Sequence, residues 1–482
     1  MPEGRVGCAA WGTLGQSDFR HMLASAAPRR PRRYSGFRLI QWLPMRSAQV
    51  AGGKEMWISF PPFERKDSPH GIVEFYQRML KPPAPWKVSR VELSGDAGRV
   101  DIWLEHAPGV RFPCPACGEA HGLHDHTPEK EWRHLDTMHA DTRLHARLPR
   151  VRCPREGVVQ VESPFAEGHG RLTWAMEGRA VDLVSECGRT GASRALNLSW
   201  DETGHVMERA VARGMERRPE GLPERMGIDE KAVFKRHKYC TIVTDLDKGT
   251  VVDVIDGRKL DEVKPWFETR AKEMESVKAM AMDMSATYIN IGESYLKDPR
   301  KTLAFDRFHV SKLVNAAVDQ TRKEERRALA GKPAAELLWK SRNLFLYNEE
   351  NIPDERKEEF ERIKRSDLRS AKAWAIKENL RLAWSQPDEE STIAFIKKWH
   401  WWATHSRIEP MRKAAKTIKA HLGGILNSIR LKVSNGPTEG INNKLETMKR
   451  DARGFGSKAK FRIAALFHCG GLSLYPTPPA SA

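Results

Sequence analysis

The sequence predicts a multidomain protein in which a β-rich module and a helical segment precede an α/β domain that a long helical insertion divides. Three observations support this prediction: the length, changes in the spacing of apolar residues along the chain, and strands that alternate with helices after residue 221. The 482 residues suggest about three domains, since one domain commonly takes roughly 150 residues. The chain is therefore long enough to bury several hydrophobic cores.

The charge of the chain is strongly basic. Lys and Arg number 81, Asp and Glu number 63, and the formal net charge is +18. Such an excess favours a polyanionic partner. Apolar runs stay short of the ~18 residues that a membrane span needs, and we see no secretory signal pattern, so we expect a cytoplasmic protein that does not bind membranes. The seven cysteines do not form a disulfide framework, which favours a metal site or inert thiols.

The two ends of the chain are expected to lie outside the domains. Residues 1–78 mix Gly, Pro, Ser and Arg with few periodic apolar positions, so we expect a poorly ordered extension. A basic arm that contacts phosphate is the alternative to a solvated tail. Residues 473–482 are expected to form a C-terminal tail.

Residues 79–168 are predicted to form a zinc-ribbon-like β module. Two alternating apolar stretches separated by glycines indicate a hairpin. Cys114 and Cys117 then form a C-x-x-C knuckle, and Cys153 begins a second one. Two hairpins that each carry two thiolates are the pattern of a zinc ribbon. The three cysteines are therefore candidate zinc ligands.

The second knuckle is incomplete, because Glu156 stands where a fourth cysteine would be. The fourth ligand would then be Glu156 itself or a histidine. The candidate histidines are His121, His124, His126, His134 and His139. A carboxylate is less suited to a thiolate site, so ligation by Glu156 predicts weak zinc occupancy. A ribbon that has lost its metal is the alternative.

Residues 169–220 are predicted to be helical. Apolar spacing indicates a helix at about 171–183, a short helix at 189–196 and a third at 201–213, with an N-cap in the turn at 197–200. This is the helix-turn-helix pattern, whose last helix can enter a major groove. Small helical bundles share the pattern, and the net charge is what favours DNA contact.

Residues 221–310 are predicted to form the first part of an α/β domain. The predicted strands are 225–230, 239–245, 250–255, 277–282 and 301–305, and the predicted helices are 260–276 and 286–295. Three antiparallel strands followed by alternating helices and parallel strands are the order of the ribonuclease H-like fold. Residues 311–432 indicate a helical insertion, and 433–472 the last part of the domain.

Three acidic residues fall where this fold would bring two strands and a helix together. Asp229 lies in the first strand and Asp283 ends the fourth, and these strands are neighbours in the predicted topology. Glu439 lies in the first turn of a helix that follows a turn signal at 434–437. Cleavage of a phosphodiester uses two divalent cations ~3.5–4 Å apart, and hard cations select carboxylate oxygens. The three acids are candidate Mg²⁺ or Mn²⁺ ligands, and ordinary helix caps or solvated residues are the alternative.

Further polar residues surround these acids in the sequence. Asp306 and His309 would meet at a strand-to-helix junction, either beside the acids, in contact with DNA, or as an N-cap and a first-turn residue. Residues that follow Glu439 on its helix suit a place beside the acids or contact with phosphate. They are Asn442, Asn443, Lys444, Lys449 and Arg450.

Four motifs occur together in a known family. They are 227–230, 283–285, 305–310 and the block SNGPTEGINNKLETMKRDARGFGSKAKFR at 434–462. With them, the chain resembles the DDE transposases of ISL-three-type insertion sequences over about residues 79–472. The resemblance implies a zinc-finger-like module, a helix-turn-helix and a catalytic domain split by a helical insertion. It also implies that Asp229, Asp283 and Glu439 are the acidic triad, while Glu156 and the first 78 residues depart from the family pattern.

The resemblance implies an enzyme that acts on double-stranded DNA. It would bind the terminal inverted repeats of its element and its target DNA, cut and join strands with Mg²⁺ or Mn²⁺, and act as a homo-oligomer on the nucleoid. A catalytically inactive, transposase-derived DNA-binding regulator is the alternative, and a structure-specific nuclease is a third hypothesis. The three acids favour catalysis, whereas the incomplete knuckle favours decay.

Overall fold

The computed structural model of the chain describes residues 69–94, 98–234 and 238–478. The chain divides into two units, 1–67 and 68–482. The first unit lies outside the described residues. The expectation of a poorly ordered extension, as far as residue 68, therefore also falls outside them. Among the residues described, none of the helices combines the length and the apolar character of a membrane-spanning segment.

A helix, α1 (Pro69–Leu80), replaces the last part of the expected disordered extension. Ile72, Val73, Tyr76 and Leu80 lie at helical spacing and pack on the core of the first sheet. The expectation of poor order is therefore wrong from residue 69 onwards, because this apolar stripe gives the segment a surface to bury.

The N-terminal module contains two interleaved four-stranded sheets. The first has the order β1-β2-β6-β5 and the second β3-β4-β7-β8. The strands are β1 (Trp86–Ser94), β2 (Arg99–His106), β3 (Arg111–Pro113), β4 (Ala120–His126), β5 (Lys130–Thr137), β6 (Ala140–Ala146), β7 (Pro149–Cys153) and β8 (Gly157–Gln160). The second sheet carries the cysteines. The predicted hairpin, β1–β2, belongs to the first sheet, where β2 pairs in parallel with β6 around a separate core.

Two helices follow, α2 (Trp174–Leu196) and α3 (Trp200–Glu216). The first two predicted helices run together as α2, which has a break at Gly188, where φ is 68°. Ser199 and Glu202 form a capping box at the start of α3. The structure thus has two helices, the first broken at Gly188, where the sequence predicts three.

The α/β domain is built on a five-stranded sheet with the order β11-β10-β9-β12-β13. The strands are β9 (Arg225–Phe234), β10 (Lys238–Asp245), β11 (Thr250–Asp256), β12 (Ala279–Met282) and β13 (Leu303–Phe305). The first three strands are antiparallel, and β12 is parallel to both β9 and β13. The first and fourth strands in chain order are neighbours, as predicted.

Two predicted elements differ from the structure. The helix expected at 260–276 is divided into α4 (Leu260–Glu268) and α5 (Ala271–Met274), because Arg270 between them has φ −119° and ψ 16°. The strand expected at 301–305 begins only at Leu303. Residues Pro299–Thr302 form the helical turn α7 instead, because proline suits the first position of a helix. Helix α6 (Ala286–Tyr295) has the predicted bounds.

The helical insertion begins with α8 (Arg307–Ala328), slightly before the predicted boundary, and ends with α15 (Leu422–Arg430). Between them lie α9 (Pro333–Lys340), α10 (Arg342–Leu346), α11 (Asp354–Lys364), α12 (Arg369–Leu380), α13 (Glu389–Thr404), α14 (Glu409–Ala420) and 3₁₀ turns at Glu349–Asn351 and Arg381–Ser385. The insertion shares one core with the sheet, since buried Phe345 and Trp399 belong to the same cluster as Met280 and Phe305.

The last two helices, α16 (Gly436–Asp451) and α17 (Lys458–Cys469), form a second core with α2, α3, β10 and β11. A buried ion-pair group holds α2 and α3 together. Glu177 accepts hydrogen bonds from Arg209 at 2.6 Å and from Arg213 at 2.8 Å, and Arg213 also donates to the carbonyl of Leu474 at 3.0 Å. This group therefore ties both helices to the C-terminal segment.

We predict that Glu177→Ala strongly destabilises the α2–α3 pair, because it leaves the buried Arg213 without its most buried partner. Loss of one member of a buried pair costs about 3–5 kcal/mol, and the thermal unfolding midpoint should fall accordingly. Glu186→Ala, which removes an exposed carboxylate from the same helix, is the matched control. Equal midpoints for the two variants would contradict a stabilising role of the ion-pair group.

Candidate active site and cysteine cluster

Asp229 lies in the middle of β9, next to the helix that follows the insertion. Its Oδ2 accepts a hydrogen bond of 2.7 Å from Nδ2 of Asn442 on α16, 213 residues further along the chain. Its Oδ1 accepts a hydrogen bond of 2.8 Å from the backbone amide of Glu230. Both carboxylate oxygens are therefore held, one by the strand and one by the helix.

The start of α16 packs directly on β9 at Gly227. A Cβ atom at that position would lie 2.4 Å from Oγ1 of Thr438 and 2.7 Å from Oδ1 of Asn435. Thr438 also shares a buried hydrogen bond of 2.7 Å with Thr244 on β10. Glu439 is the next residue, so the absence of a side chain at position 227 lets the helix turn that carries Glu439 lie against the strand.

Asp283 follows the last residue of β12, at the same end of the sheet. Ala281 pairs with Gly227 in parallel register, so two residues further on Asp283 is level with Asp229. Its Oδ1 accepts a hydrogen bond of 3.0 Å from the amide of Ser285, just before α6. The predicted proximity of these two acids follows from the strand order.

Asp306 lies at the same edge of the sheet, after β13. Met282 pairs with Phe305, which places Asp306 level with Asp283. The Asp306 side chain is 3% exposed and occupies the N-cap position of α8 without making a capping hydrogen bond. Asp306 therefore occupies the N-cap position without capping through its side chain. After burial, its charge is the next cause that raises the pKa of Glu439.

The pKa values of the three acids are raised in the folded protein. Burial is the largest cause that raises the pKa of Asp229, Asp283 and Glu439, and the charge of Asp283 adds to the rise at Asp229. Interactions with His309 and Lys312 oppose the rise at all three acids. The structure thus brings these acids and cations into one electrostatic group.

His309 lies in the first turn of α8, where its Nε2 is buried without a hydrogen-bond partner among the described residues. Lys312, three residues later, is exposed, and sequence reasoning missed it. The spacing from His309 to Lys312 on a helix that starts at the acids could have revealed it. Gly227 was missed as a packing residue, because its role depends on α16.

The remaining candidates on α16 differ in their surroundings. Asn443, Lys444 and Arg450 are exposed. Lys449 donates to the carbonyl of Ala232 at 3.1 Å and forms an ion pair with Glu446, so it is held against the protein. The predicted contact of Lys449 with phosphate is therefore not favoured, whereas the other three side chains are accessible.

The donor set suits hard divalent cations. Carboxylate oxygens come from three strands and one helix, and the Oδ1 of Asn442 is buried without a partner in the described part of the chain. The donor atoms of these acids do not all lie within 4.8 Å of one another, unlike those of the cysteine cluster, the single such group found among the described residues.

The cysteine cluster consists of Cys114, Cys117, His121 and Cys153, whose donor atoms lie within 4.8 Å of one another. Cys114 and Cys117 occupy the turn between β3 and β4, His121 is on β4, and Cys153 ends β7. The Sγ of Cys117 lies 3.3 Å from Nε2 of His121. Three thiolates and one imidazole are a known set of structural zinc ligands.

Glu156 is not the fourth member of the cluster. Its side chain is exposed, and its backbone amide, after that of Arg155, lowers the pKa of the Cys153 thiol by hydrogen bonding. Two of the other candidate histidines bond elsewhere: His126 pairs with His106 at 2.8 Å, and His134 with Thr173 at 2.8 Å. Of the proposed fourth ligands, His121 is the one that the structure places within reach of the three thiols in the described part of the chain.

The charges on the exposed face of α3 do not favour the predicted contact with DNA. Its exposed face carries Asp201, Glu202, Glu208 and Glu216. The guanidinium of Arg213, on the same helix, is buried against Glu177. An acidic helix face repels phosphate, so the helix-turn-helix shape does not by itself make α3 a major-groove helix.

Two family models match the chain where the acids and the cysteine cluster lie. One, described as a transposase, matches residues 226–465, and the other, described as the zinc-finger of transposase IS204/IS1001/IS1096/IS1165, matches residues 111–155. The chain belongs to the DDE transposase family of ISL-three-type insertion sequences. The second match makes the β3-β4-β7-β8 sheet the zinc ribbon of this transposase, and its cysteine–histidine cluster indicates zinc binding.

The chain is similar to transposases over most of their length. The transposase for insertion sequence element IS1557 of Mycobacterium tuberculosis, in strains CDC 1551 / Oshkosh and H37Rv, is 27% identical over 407 residues, which cover 78% of this chain and 90% of that protein. The transposase for insertion sequence element IS1001 of Bordetella parapertussis is 26% identical over 388 residues, covering 79% and 95%. The similarity thus extends through both the ribbon and the α/β domain.

We predict that the purified transposase contains about one zinc per chain and that His121→Ala lowers this content, because it removes the fourth donor. Elemental analysis after dialysis against a weak chelator measures the effect. Glu156→Ala, the matched control, should keep the zinc of the natural protein. Full zinc content in the His121 variant would show that another donor completes the site.

Proposed function

We propose that this transposase binds the terminal inverted repeats of its element and its target DNA, and cuts and joins DNA strands at a site formed by Asp229, Asp283 and Glu439. The observation that carries the proposal is the convergence of these acids, from two parallel strands and a distant helix, into one group with raised pKa values. The sheet order supports a ribonuclease H-like catalytic domain.

The protein side chains have distinct parts in this mechanism. Asp229, Asp283 and Glu439 would hold Mg²⁺ or Mn²⁺, and Asn442 orients Asp229 through its 2.7 Å hydrogen bond. A pair of divalent cations held there would supply activation of the attacking oxygen and stabilisation of the leaving oxygen. Because their pKa values are raised, the acids bind metal less well as the pH falls and protons compete. The exposed Lys312 is positioned to contact a DNA phosphate beside them.

The inactive regulator is the less favoured alternative. Burial of several carboxylates at one place opposes their ionisation, and such a group is retained at a cost in stability when chemistry requires it. A DNA-binding regulator has no use for it. A structure-specific nuclease would use the same acids, and it differs only in the absence of strand joining.

Binding of the element ends is proposed for the N-terminal modules. The zinc ribbon supports this role through its family match with the zinc-finger of transposases. The acidic face of α3 argues that the ribbon contributes more to end recognition than that helix does. We propose a homo-oligomer on DNA, because the two ends of one element must be brought together for joining.

We predict that Asp229→Ala, Asp283→Ala or Glu439→Ala lowers strand cleavage by more than about a hundredfold and leaves end binding nearly unchanged, because each change removes a metal ligand. Cleavage and joining of a duplex with the element ends, in Mg²⁺ or Mn²⁺, is the assay. Asp306→Ala should have a smaller effect. Asp247→Ala removes an exposed acid from the β10–β11 turn and is the control. Near-natural cleavage by any triad variant would exclude that residue from the triad.

We predict that Asn442→Ala lowers cleavage by about 10- to 100-fold, the usual effect of losing a partner that orients a metal ligand. The loss should be partly restored by a higher Mn²⁺ concentration, which a general folding defect would not allow. Asn443→Ala, an exposed amide next along the same helix, should behave as the natural protein does. An equal loss in both variants would argue against a positioning role for Asn442.

A further inference from the structure

Helices α13 and α14 of the insertion present an outer surface that is basic and carries one large aromatic side chain. We call this surface the basic face. From α13 it includes Lys397, Lys398 and Trp401, and His405 follows directly after that helix. From α14 it includes Lys413, Lys416 and Lys419. Every one of these residues is exposed. None of them belongs to the acidic site or to the cysteine cluster.

The packing of the two helices explains why this side faces outward. Helix α13 buries Thr392, Ile396, Trp399 and Ala403, which lie along one stripe. Helix α14 buries a similar stripe of Met411, Ala414, Ala415 and Ile418. The opposite stripes are left for solvent, and these hold the lysines and Trp401.

The lysines of the basic face have no ion-pair partner among the described residues. On α14, Lys413, Lys416 and Lys419 follow one another at intervals of three residues, and like charges at that spacing repel. The single acid of α14, Glu409, pairs with Arg412 at 3.0 Å. Some exposed basic residues on other helices do have acidic partners: Lys340 pairs with Glu336, and Arg362 with Glu358. The positive charge of the basic face therefore lacks the neutralising acids that those two helices provide.

Trp401 lies within this charged surface. Its side chain is 64% exposed, and its ring stacks on His405 at a centroid distance of 4.5 Å and an interplanar angle of 22°. The two neighbouring tryptophans are turned inward, and Trp399 is 1% exposed. Lys397 lies one turn before Trp401 on the same face of the helix.

The two helices contribute to one continuous surface. The two helices pack against each other, and their buried stripes belong to the same core. Burial first, and then the charge of Lys419 on α14, lower the pKa of His400 on α13, so Lys419 lies on the side of α14 near the residue that precedes Trp401. A polyanion that followed the lysines of α14 would pass beside the exposed ring.

We propose that the basic face binds a single-stranded segment of DNA, with its phosphates on the lysines and an unpaired base stacked on Trp401. Uncompensated positive charge beside an exposed aromatic ring is the arrangement by which proteins hold single strands. The inference rests on the proposed function, because it places part of the DNA substrate on the insertion.

The experiment measures binding of the full chain to a fluorescent oligothymidylate and to a duplex of equal length, without Mg²⁺ or Mn²⁺ so that no strand is cut. The first variant is Lys413→Gln/Lys416→Gln/Lys419→Gln. Its matched control, Lys340→Gln/Lys357→Gln/Arg362→Gln, removes three exposed charges that are ion-paired. We expect the slope of log K against log salt for the single strand to fall by about 2 in the first variant, at roughly 0.7 per phosphate contact. The control should keep the natural slope.

The second pair of variants tests stacking. Trp401→Leu should weaken binding of the single strand at least about fivefold without changing the salt slope. It should leave binding of heparin, which has no bases, unchanged. Trp339→Leu, which removes a tryptophan that is 63% exposed on α9, is the control. Unchanged thermal unfolding midpoints show that the variants are folded.

The outcomes separate this inference from the proposed function. The inference is overturned if the Gln variant has the salt slope of its control, or if Trp401→Leu binds the single strand as tightly as Trp339→Leu does. It is also overturned if Trp401→Leu weakens binding of heparin and of the single strand equally. If the natural protein binds neither the single strand nor the duplex, the proposed function itself is refuted.

Discussion

The docking of α16 on β9 is the contact on which the candidate active site depends. It combines the close approach at Gly227 with the hydrogen bond of 2.7 Å from Asn442 to Asp229. Without it, Glu439 would have no fixed relation to the strand acids. The strand acids and Glu439 are separated in the chain by the helical insertion. The end of the insertion is held at the sheet edge by hydrogen bonds of 2.7 Å from Asn427 to the Leu303 carbonyl and from Arg430 to the Lys301 carbonyl. The insertion thus returns the chain to the place where α16 can begin.

This docking creates an electrostatic cost. Carboxylates collected at one edge of the sheet repel one another and are partly removed from water, so their pKa values rise. His309 and Lys312 compensate part of that repulsion from the first turns of α8. A helix that starts at the acids is suited to this task, because residues three apart on it face the same side.

The N-terminal module is joined to the helices by backbone pairing. The amide of Arg133 on β5 donates to the carbonyl of Arg171 at 2.8 Å, and the amide of Thr173 donates to the carbonyl of Arg133 at 2.9 Å. The sheet that contains β5 therefore connects the ribbon to α2, which shares a core with the α/β domain. Because β5 and β6 are inserted between the two halves of the ribbon, the ribbon depends on the β1-β2-β6-β5 sheet for its position.

The sequence by itself determined the order of the strands of the α/β domain, the adjacency of Asp229 and Asp283, and the place of Glu439 at the start of a helix. These follow from apolar periodicity and turn residues, which act over a few neighbouring positions. It also indicated three of the four members of the cysteine cluster: the local C-x-x-C spacing indicated Cys114 and Cys117, and the partial second knuckle indicated Cys153. Choosing His121 among five histidines required the tertiary structure, since strand pairing decides which side chain reaches the thiols. The packing role of Gly227, the interleaving of the two N-terminal sheets and the exposure of Trp401 beside buried Trp399 were likewise decided by contacts between distant segments, which no local pattern encodes.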